Sequence, residues 1–532
     1  MPAASRRREL VAVAEPGRVE HDYVIVGAGS AGSVIARRLL DRGCSVHVLE
    51  AGPSDDDPAV HSPQGWPRLM GSTMDWSVMT VPQRHANNRS LTWPRGKVLG
   101  GSGSLNGMIY IRGHRSDYDA WAYGGCPGWD WDSVLPYFLR SEDHADGPSA
   151  WHGGGGPLPV ARIARPHPAA EAFVAAAVDL GHAPTDDFNG ERMTGAGFNH
   201  VTIRDGRRMS AWRSFVAPVA AHPALRVTTG ARAHRVLLEN GRAVGVEYAA
   251  GGALHRAYGA VETVLCGGVV GSAQLLLLSG VGPADQLRRV GVEPVADLPG
   301  VGANLHDHLL VSNVYEASRP LPDGRANLLE SQLFAATDRR RPGPDLQPLF
   351  MQLVYPAESY PVPEHGYTIA PGIVRPLSRG ALRLASADPE AAPLVDPNVL
   401  AEPHDLESLV DAVELAREIG RSARFDDWRK AEAAPGPDAR TRADLRAYVR
   451  RAVGTYHHQV GTCRMGQDSL AVVDPELRVR GVAGLRVADA SVMPSVPSGN
   501  TNAPTIMIGE KAADFLLDSG AGGAGGAVGG PL

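Results

Sequence analysis

Near the start of the chain, a short apolar run leads into a glycine-rich segment and then into a helical pattern. Residues 23–26 (YVIV) predict a buried strand, because strands covered on both faces appear as continuous apolar runs. The glycine-rich residues 27–32 (GAGSAG) follow. Residues 33–40 then predict a helix, and residues 45–49 predict a second strand that ends at Glu50. This succession of strand, turn, helix and strand is typical of an α/β unit.

The rest of the chain alternates strand-like and helix-like stretches, which indicates an α/β (α+β) fold. Residues 108–111 are an apolar, strand-like run, and residues 484–488 (GLRVA) predict a buried strand running into Asp489. A helix is expected to begin near Pro504, since proline fits a first helical turn, and to continue to about Leu517. Residues 1–20 and the Gly/Ala tail 519–532 are expected to be a flexible lead and a disordered tail.

Composition and charge exclude several classes of function. Hydrophobic residues make up 43% and charged residues 21% of the 532 positions, as in ordinary globular proteins. The net charge of −6 gives no basic surface for nucleic acid or an anionic membrane. The four cysteines form no CxxC pair, and no long apolar segment or signal peptide is recognisable. We therefore expect a cytoplasmic enzyme with no nucleic-acid or membrane partner.

The pattern GxGxxG formed by Gly27, Gly29 and Gly32 predicts a dinucleotide-binding turn, because it lies between a strand and a helix. Gly27 permits the tight turn, Gly29 lets the backbone approach a pyrophosphate, and Gly32 lets the helix pack closely on the strand. The free N–H groups of the helix would bind phosphate, and Glu50 would accept hydrogen bonds from a ribose. The motif leaves open whether the dinucleotide is FAD or NAD.

Three further stretches predict contact with a ligand. Residues 95–107 (RGKVLGGSGSLNG) form a loop whose backbone can approach a ligand closely. Residues 455–466 (TYHHQVGTCRMG) contain adjacent histidines at 457 and 458, with no third ligand at metal-binding spacing, so we expect no metal. Residues 484–505 run from a strand through a polar loop into a helix whose N-terminus could stabilise an anion.

Together these stretches resemble the glucose–methanol–choline (GMC) oxidoreductases, a family of flavoenzymes, over about residues 20 to 518. Residues 127–137, 266–282, 298–308 and 378–384 are also similar to family segments. The resemblance implies an FAD-binding Rossmann-like domain interleaved with a sheet-based substrate-binding domain. The FAD-binding domain would comprise residues 21–160, 222–309 and 455–518. The substrate-binding domain would comprise residues 161–221 and 310–454.

The resemblance also assigns residues to the cofactor and to catalysis. His458 corresponds to the catalytic histidine, three residues before Gly461, whereas His457 stands where many relatives have tyrosine. Asn502 is expected to be its catalytic partner, with Asn500 as the nearby alternative. The residues expected to bind FAD are Gly27, Gly29, Ser30, Ala31, Gly32, Glu50, Ala51, Arg95, Gly100, Gly101, Ser102, Asn106, Gly107, Ala233, Asp489, Ala490, Asn502 and Pro504.

The implied reaction is oxidation of an alcohol to the aldehyde, by hydride transfer to flavin N5 with a histidine base. The expected substrate is a primary alcohol on a sugar, an amino sugar or another natural-product intermediate, and aryl and simple aliphatic alcohols stay open. The electron acceptor could be oxygen, a quinone or a carrier. An FAD-containing hydroxynitrile lyase of the same family is the alternative function.

Two positions depart from particular members of the family. Members with covalent flavin attach it through a histidine just before the asparagine of the first signature, where this chain has Leu105 before Asn106. We therefore expect non-covalent FAD. Choline-oxidising members carry a glutamate two residues after the histidine that corresponds to His308, where this chain has Leu310. Because a quaternary ammonium needs a negative partner or an aromatic cage, we expect choline to be a poor substrate.

Overall fold

The computed structural model describes residues 20–324, 326–338, 340–355 and 360–523, with side chains described up to residue 519. Of the expected lead at 1–20, residues 1–19 lie outside the described residues, and Glu20 begins a strand. Of the expected disordered tail at 519–532, residues 524–532 lie outside the described residues, whereas residues 519–523 belong to the last helix. The last helix, Asn502–Gly523, extends past the expected end at Leu517.

A seven-stranded sheet carries the glycine-rich turn. Its parallel part contains the first two predicted strands, and an antiparallel pair of strands extends one edge. The strands in spatial order are Leu225–Thr228, Val46–Leu49, Glu20–Val26, Ala253–Leu265, Arg242–Ala250 and Arg232–Glu239, with Leu485–Val487 paired in parallel to the end of Ala253–Leu265. The carboxyl ends of the parallel strands therefore meet at one edge, where ligands bind in open α/β sheets.

Two helices from opposite ends of the sequence pack together beside this sheet. The helix Ser30–Leu40 lies along the helix Asn502–Gly523, and Arg38 donates to Glu510 across a 2.7 Å ion pair. The Tyr23 hydroxyl donates to the backbone oxygen of Leu516 at 3.2 Å. The first unit of the fold is thus completed by the last helix of the chain.

A second, six-stranded sheet is antiparallel throughout. Its strands in spatial order are Arg429–Ala434, Asn313–Ala317, Gly366–Ala370, Leu349–Met351, Ser331–Phe334 and Gly195–Phe198. The helices Pro168–Asp179 and Pro403–Arg421 pack against it. Its strands come from the ranges that the sequence assigned to the substrate-binding domain, and we keep that division of domains as our proposal.

The other helices and several short strands connect the two sheets. The remaining α-helices are Pro58–His61, Trp66–Leu69, Arg115–Tyr123, Trp131–Ser141, Gly268–Leu278, Ala284–Arg289 and Arg442–Ala452. The remaining strands are Val78–Met79, Thr92–Trp93, Glu142–His144, Leu158–Arg162, His200–Val201, Ile203–Arg204, Arg207–Arg208, Val281–Gly282, Ala296–Asp297, Leu309–Leu310, Gly372–Ile373, Ala381–Arg383, Leu394–Asp396 and Gly454–Thr455.

The predicted mixed fold of two sheet-containing parts is confirmed, and one local prediction is wrong. Residues 108–111 form no regular strand: only Ile109 makes an isolated bridge, to Val201. The run is apolar because it enters a buried cluster of side chains, which sequence periodicity cannot distinguish from a strand. Within the described ranges, every helix is too short or too polar to cross a bilayer.

Candidate active site

The three glycines of the first turn have different surroundings. Gly27 has φ +103°, and a Cβ there would lie 2.4 Å from the Cys266 oxygen. A Cβ at Gly32 would lie 2.0 Å from the Gly27 oxygen, whereas one at Gly29 would meet no atom within 4 Å. Packing therefore requires glycine at two positions, and the third leaves open space at the N-terminus of the helix Ser30–Leu40.

Glu50 ends the second strand with its carboxylate held by the backbone. Its Oε2 accepts from the Ala28 N–H at 3.0 Å, and its Oε1 accepts from the Gly52 N–H at 2.9 Å. Burial raises the pKa of Glu50 to about 7. A ribose hydroxyl donating to this carboxylate would favour its ionised form, which is the role expected from the sequence.

The second glycine-rich loop lies directly on the first turn. The Gly100 N–H donates to the Ala28 oxygen at 2.9 Å. A Cβ at Gly101, which has φ +53°, would lie 2.9 Å from the Gly29 Cα. Two loops about 70 residues apart in sequence thus form one surface of closely packed backbone.

A cavity of about 610 Å³ joins these loops to the histidine pair. Three expected FAD contacts, Gly32, Gly100 and Pro504, do not line it. Gly32 packs behind Gly27, Gly100 supports the second loop, and Pro504 lies within the first turn of the last helix. The expected residues that line the cavity are Gly27, Gly29, Ser30, Ala31, Glu50, Ala51, Arg95, Gly101, Ser102, Asn106, Gly107, Ala233, His458, Asp489, Ala490 and Asn502.

Asp489 joins the end of the Leu485–Val487 strand to the helix Gly268–Leu278. Its Oδ2 accepts from the Gly268 N–H at 2.9 Å and from the Ser272 hydroxyl at 2.6 Å. Burial raises the pKa of this carboxyl. Asp489 therefore fixes the loop that places Ala490 in the cavity wall.

His458 stands in the cavity wall between Asn500 and His308. The Asn500 amide nitrogen lies 3.2 Å from His458 Nε2, and His308 Nδ1 lies 3.1 Å from His458 Nδ1. The Asp307 carboxylate accepts from the His458 backbone N–H at 2.8 Å, which fixes the residue's position. Burial lowers the pKa of His458 well below its usual value, so the imidazole is neutral at physiological pH.

This geometry differs from the expected catalytic pair. The sequence paired His458 with Asn502, but Asn502 Oδ1 accepts from the Ser30 hydroxyl at 2.6 Å, at the N-terminus of the first helix. The positive φ of Gly499, +125°, bends the chain just before Asn500. In this loop Asn500, the weaker alternative from the sequence, faces His458, and Asn502 faces the glycine-rich turn.

His457 has different partners from its neighbour. Its φ is +65°, and its ring Nε2 lies 3.5 Å from the Tyr355 hydroxyl. Its backbone oxygen accepts from Arg95 Nη2 at 2.7 Å. Burial lowers the pKa of Arg95 to about 10, so the guanidinium keeps its charge at neutral pH.

Beside His458 the cavity wall is apolar. The Tyr456 ring stacks on the His458 ring with centroids 5.5 Å apart and belongs to one continuous hydrophobic cluster. The cluster members that line the cavity are Trp66, Met70, Met108, Ile109, Leu310, Leu329, Leu349, Met351, Tyr355 and Tyr456. No sequence pattern identifies this wall, because such side chains look like ordinary core residues until the fold brings them to a cavity.

Three buried histidines outside the cavity, His144, His152 and His200, approach one another closely enough to be considered as metal ligands. His152 instead forms ion pairs with Glu142 and Asp187, at 3.1 and 2.8 Å, and its pKa is raised to about 9. The Asp146 N–H donates to His144 Nδ1 at 3.2 Å, which leaves the ring proton on Nε2. A nitrogen that carries a proton cannot bind a metal, so we interpret the cluster as an ion-pair network.

The cavity fits FAD by its chemistry. It combines open space at a helix N-terminus for a diphosphate, a buried carboxylate for a ribose, and a loop with closely approaching backbone.

Comparisons with known proteins agree with this fit. Profiles described as GMC oxidoreductase match residues 21–310 and 376–509. An oxygen-dependent choline dehydrogenase of Brucella suis biovar 1 (strain 1330) is 40% identical over 528 residues, which cover 94% of this chain and 96% of the relative. The mitochondrial choline dehydrogenase of Homo sapiens is 40% identical over 544 residues, which cover 96% of this chain and 92% of the relative.

A solved structure is also similar. The crystal structure of pyridoxine 4-oxidase, with the organism given as Mesorbium loti, superposes with a TM-score of 0.90 at 36% identity. The superposition covers 93% of this chain and 99% of the other. With the profile matches and the site geometry, this likeness supports an FAD-dependent enzyme that oxidises CH–OH groups. The chain belongs to the GMC oxidoreductase family.

Proposed function

We propose that this enzyme oxidises an uncharged primary alcohol with an aromatic or aliphatic body to the aldehyde. The observation that carries the proposal is the apolar wall beside His458. Of the substrate classes open from the sequence, sugars and amino sugars suit this wall least, because their hydroxyls and amines would be buried without hydrogen-bond partners. Aryl, aliphatic and apolar natural-product alcohols suit it best.

The carboxylates of the cavity wall, as far as the chain is described, lie away from this apolar end. Glu50 is held by the glycine turn, Glu390 pairs with Arg232 at 2.7 Å, and Asp489 is held by Gly268 and Ser272. A quaternary ammonium bound there would therefore meet no carboxylate of the described wall, and Leu310 stands where choline-oxidising members have a glutamate. This supports poor activity on choline, although the named relatives are choline dehydrogenases.

His458 is the proposed base. The Asn500 amide donates to Nε2, so the proton of the neutral ring lies on Nδ1 and is donated to His308 Nδ1. The lone pair of Nε2 therefore accepts from Asn500 in this structure, and it can accept the substrate hydroxyl proton once the hydroxyl takes the place of the amide. Asn500 then donates to the oxygen on which negative charge develops. The bound FAD would supply the acceptor for the hydride of the carbinol carbon.

The FAD is proposed to be non-covalent and to be reoxidised by oxygen. Leu105 lines the cavity and has no nucleophilic atom. The names of two relatives, an oxygen-dependent dehydrogenase and an oxidase, support oxygen over a quinone or carrier. The four cysteines are free thiols, which supports the cytoplasm as the compartment.

An anaerobic panel of alcohols tests the proposal by loss of the oxidised flavin absorbance. We expect rapid bleaching by a benzylic or medium-chain primary alcohol, and slow bleaching by choline and by hexoses. No bleaching by any alcohol, together with cyanide release from a cyanohydrin, would instead establish the hydroxynitrile lyase.

The variant Leu310→Glu tests the substrate class directly. Leu310 lines the cavity, and its strand follows His308. We expect kcat/KM for choline to rise at least about tenfold, because the carboxylate attracts the cation. We expect kcat/KM for the benzylic alcohol to fall, because the bound apolar ring would remove water from the carboxylate without compensation. Leu310→Gln, which adds polarity without charge, is the matched control. If wild type already prefers choline, the proposed substrate class is wrong.

A further inference from the structure

Arg208 is a charged side chain buried without an ionic partner. It is 2% exposed, and no carboxylate in the described part of the chain lies within ion-pairing distance of it. Burial lowers its pKa to about 9, and it is still charged at neutral pH. A buried charge without a counter-charge is costly, so its retention needs an explanation.

The hydrogen-bond partners of Arg208 are neutral. Nε donates to the Val60 oxygen at 2.8 Å, and Nη1 donates to the Gly103 oxygen at 3.3 Å and to Asn106 Oδ1 at 2.8 Å. Nη1 also donates to the Asn106 backbone oxygen at 2.5 Å. Nη2 is buried and has no hydrogen-bond partner among the residues that the structure describes.

The second glycine-rich loop separates Arg208 from the cavity. Gly101 and Asn106 line the cavity, whereas Arg208 does not. A Cβ at Gly103 would lie 3.1 Å from the Ser30 hydroxyl oxygen, so the loop that accepts from Arg208 also touches the N-terminus of the first helix. The guanidinium is thus one layer of backbone behind the open space at Gly29.

The two arginines that line the cavity have other partners. Arg95 donates to the His457 oxygen, and Arg232 pairs with Glu390. Neither forms a hydrogen bond with the glycine turn in the described part of the chain. The charge of an anion bound there would be met by the helix N-terminus and by Arg208.

We propose that Arg208 is the buried counter-charge for the diphosphate of FAD. It acts as a positioning residue: it holds the carbonyl groups of the loop away from the cavity and adds a full positive charge behind the loop. The competing explanation is that Arg208 only connects the loop to Val60 through hydrogen bonds, and that its charge does not affect FAD binding.

Replacements at Arg208 with and without charge separate these explanations. Arg208→Met removes the charge, Arg208→Gln keeps a donor without charge, and Arg208→Lys keeps the charge without the planar fork. Arg112→Met is the matched control, because Arg112 is equally buried but is paired with Glu142 at 2.7 Å. The readouts are the dissociation constant of FAD, from the fluorescence of released flavin, and the melting temperature with and without FAD.

We expect Arg208→Met and Arg208→Gln to raise the dissociation constant of FAD at least tenfold and Arg208→Lys to raise it less than threefold. The difference in melting temperature between the FAD-loaded and FAD-free forms should shrink for the neutral variants only. Competition by ADP should weaken in the same order, whereas competition by adenosine, which lacks the diphosphate, should not change.

For Arg112→Met we expect the two melting temperatures to fall together and the affinity for FAD to stay the same. Two results would overturn the proposal. One is an unchanged FAD affinity in Arg208→Gln with equal losses of stability in both forms. The other is a loss of affinity in Arg208→Lys as large as in the neutral variants, which would make the fork geometry the essential feature. If Arg208→Met does not fold, Arg208→Gln and Arg208→Lys still decide between the two explanations.

Discussion

At the scale of single residues, the chemistry depends on which histidine and which asparagine face each other. His458→Ala removes the proposed base and should lower the rate of flavin reduction by on the order of 10²-fold or more, with the flavin retained. Asn500→Ala should raise the activation barrier of flavin reduction by about 3 kcal/mol, which is on the order of 10²-fold in rate, since one donor to the developing alkoxide is lost. His457→Ala is the neighbouring control and should be milder. Stopped-flow reduction at saturating alcohol measures all three, and a normal rate in His458→Ala would refute the assignment.

Asn502 should give a different phenotype from Asn500. Because its side chain accepts from Ser30, Asn502→Ala should lower the FAD content of the purified protein more than the rate per bound flavin. The ratio of flavin absorbance to protein absorbance measures the content. A large loss of rate in Asn502→Ala with full flavin content, and none in Asn500→Ala, would restore the pairing expected from the sequence.

The expectation of non-covalent FAD rests on one position, Leu105. An alkyl side chain cannot bond to the flavin ring, so acid precipitation should leave yellow flavin in the supernatant. A pellet that stays yellow after repeated washing would show that another side chain of the cavity wall has formed the bond.

The roles of individual residues were only partly predictable from the sequence. Gly27, Gly29 and Glu50 could be identified because their function follows from local spacing within one strand–turn–helix unit. Asn500 and Asn502 could not be separated, because the turn at Gly499 decides which amide faces His458. His308 ends a segment that is similar to the family, but its contact with His458 is formed only in the fold. Arg208 approaches the site from a distant segment, and no local pattern marks it.

At the scale of elements, two substitutions in the glycine turn should affect different properties, one the stability of the fold and the other the affinity for FAD. Gly27→Ala places a methyl group 2.4 Å from the Cys266 oxygen at a positive φ, so it should destabilise the fold itself. Gly29→Ala meets no protein atom, so the protein should fold with a melting temperature near that of the FAD-free wild type and should bind FAD poorly. Thermal melting with and without FAD measures both effects. Equal FAD affinity in Gly29→Ala and wild type would show that the space at Gly29 is not used.

The elements themselves were predictable where periodicity and turn chemistry agree. The strand before Gly27 and the helix after it satisfy both criteria, and the structure has them as Glu20–Val26 and Ser30–Leu40. Residues 108–111 satisfy only the apolar criterion, and Met108 and Ile109 line the apolar cavity wall instead of joining a sheet. The second sheet could be expected only from the family resemblance. Its strands are short and are paired across long stretches of sequence, so local patterns do not reveal it.

At the scale of the whole molecule, buried neutral histidines should make the enzyme acid-sensitive. Their folded-state pKa values lie below the usual 6.5, so unfolding takes up protons as the pH falls below about 6.5, and stability decreases. Burial lowers the pKa to about 3 for His47, His306, His308 and His457, to about 4 for His200, and well below its usual value for His458.

Four buried carboxyls with raised pKa values, Glu50, Asp117, Asp307 and Asp489, and His152, whose pKa is raised to about 9, act in the opposite direction but are fewer. The pKa of Glu50 is raised to about 7 and that of Asp307 to about 6, so their contributions to stability increase as the pH falls towards 4.5. The melting temperature should therefore be lower at pH 5 than at pH 7 by about 5 °C or more. A melting temperature that is constant or rises between pH 7 and pH 5 would show that these histidines are protonated in the folded protein.

The pairing of the first and last helices has a consequence for biosynthesis. Ser30, in the glycine-rich turn, donates to Asn502, and Arg38 pairs with Glu510. A ribosome synthesises the turn early, but its partners emerge only after some 470 further residues. The turn therefore lacks these partners during most of translation. Binding of the cofactor should follow the synthesis of the last helix, because only then is the turn complete.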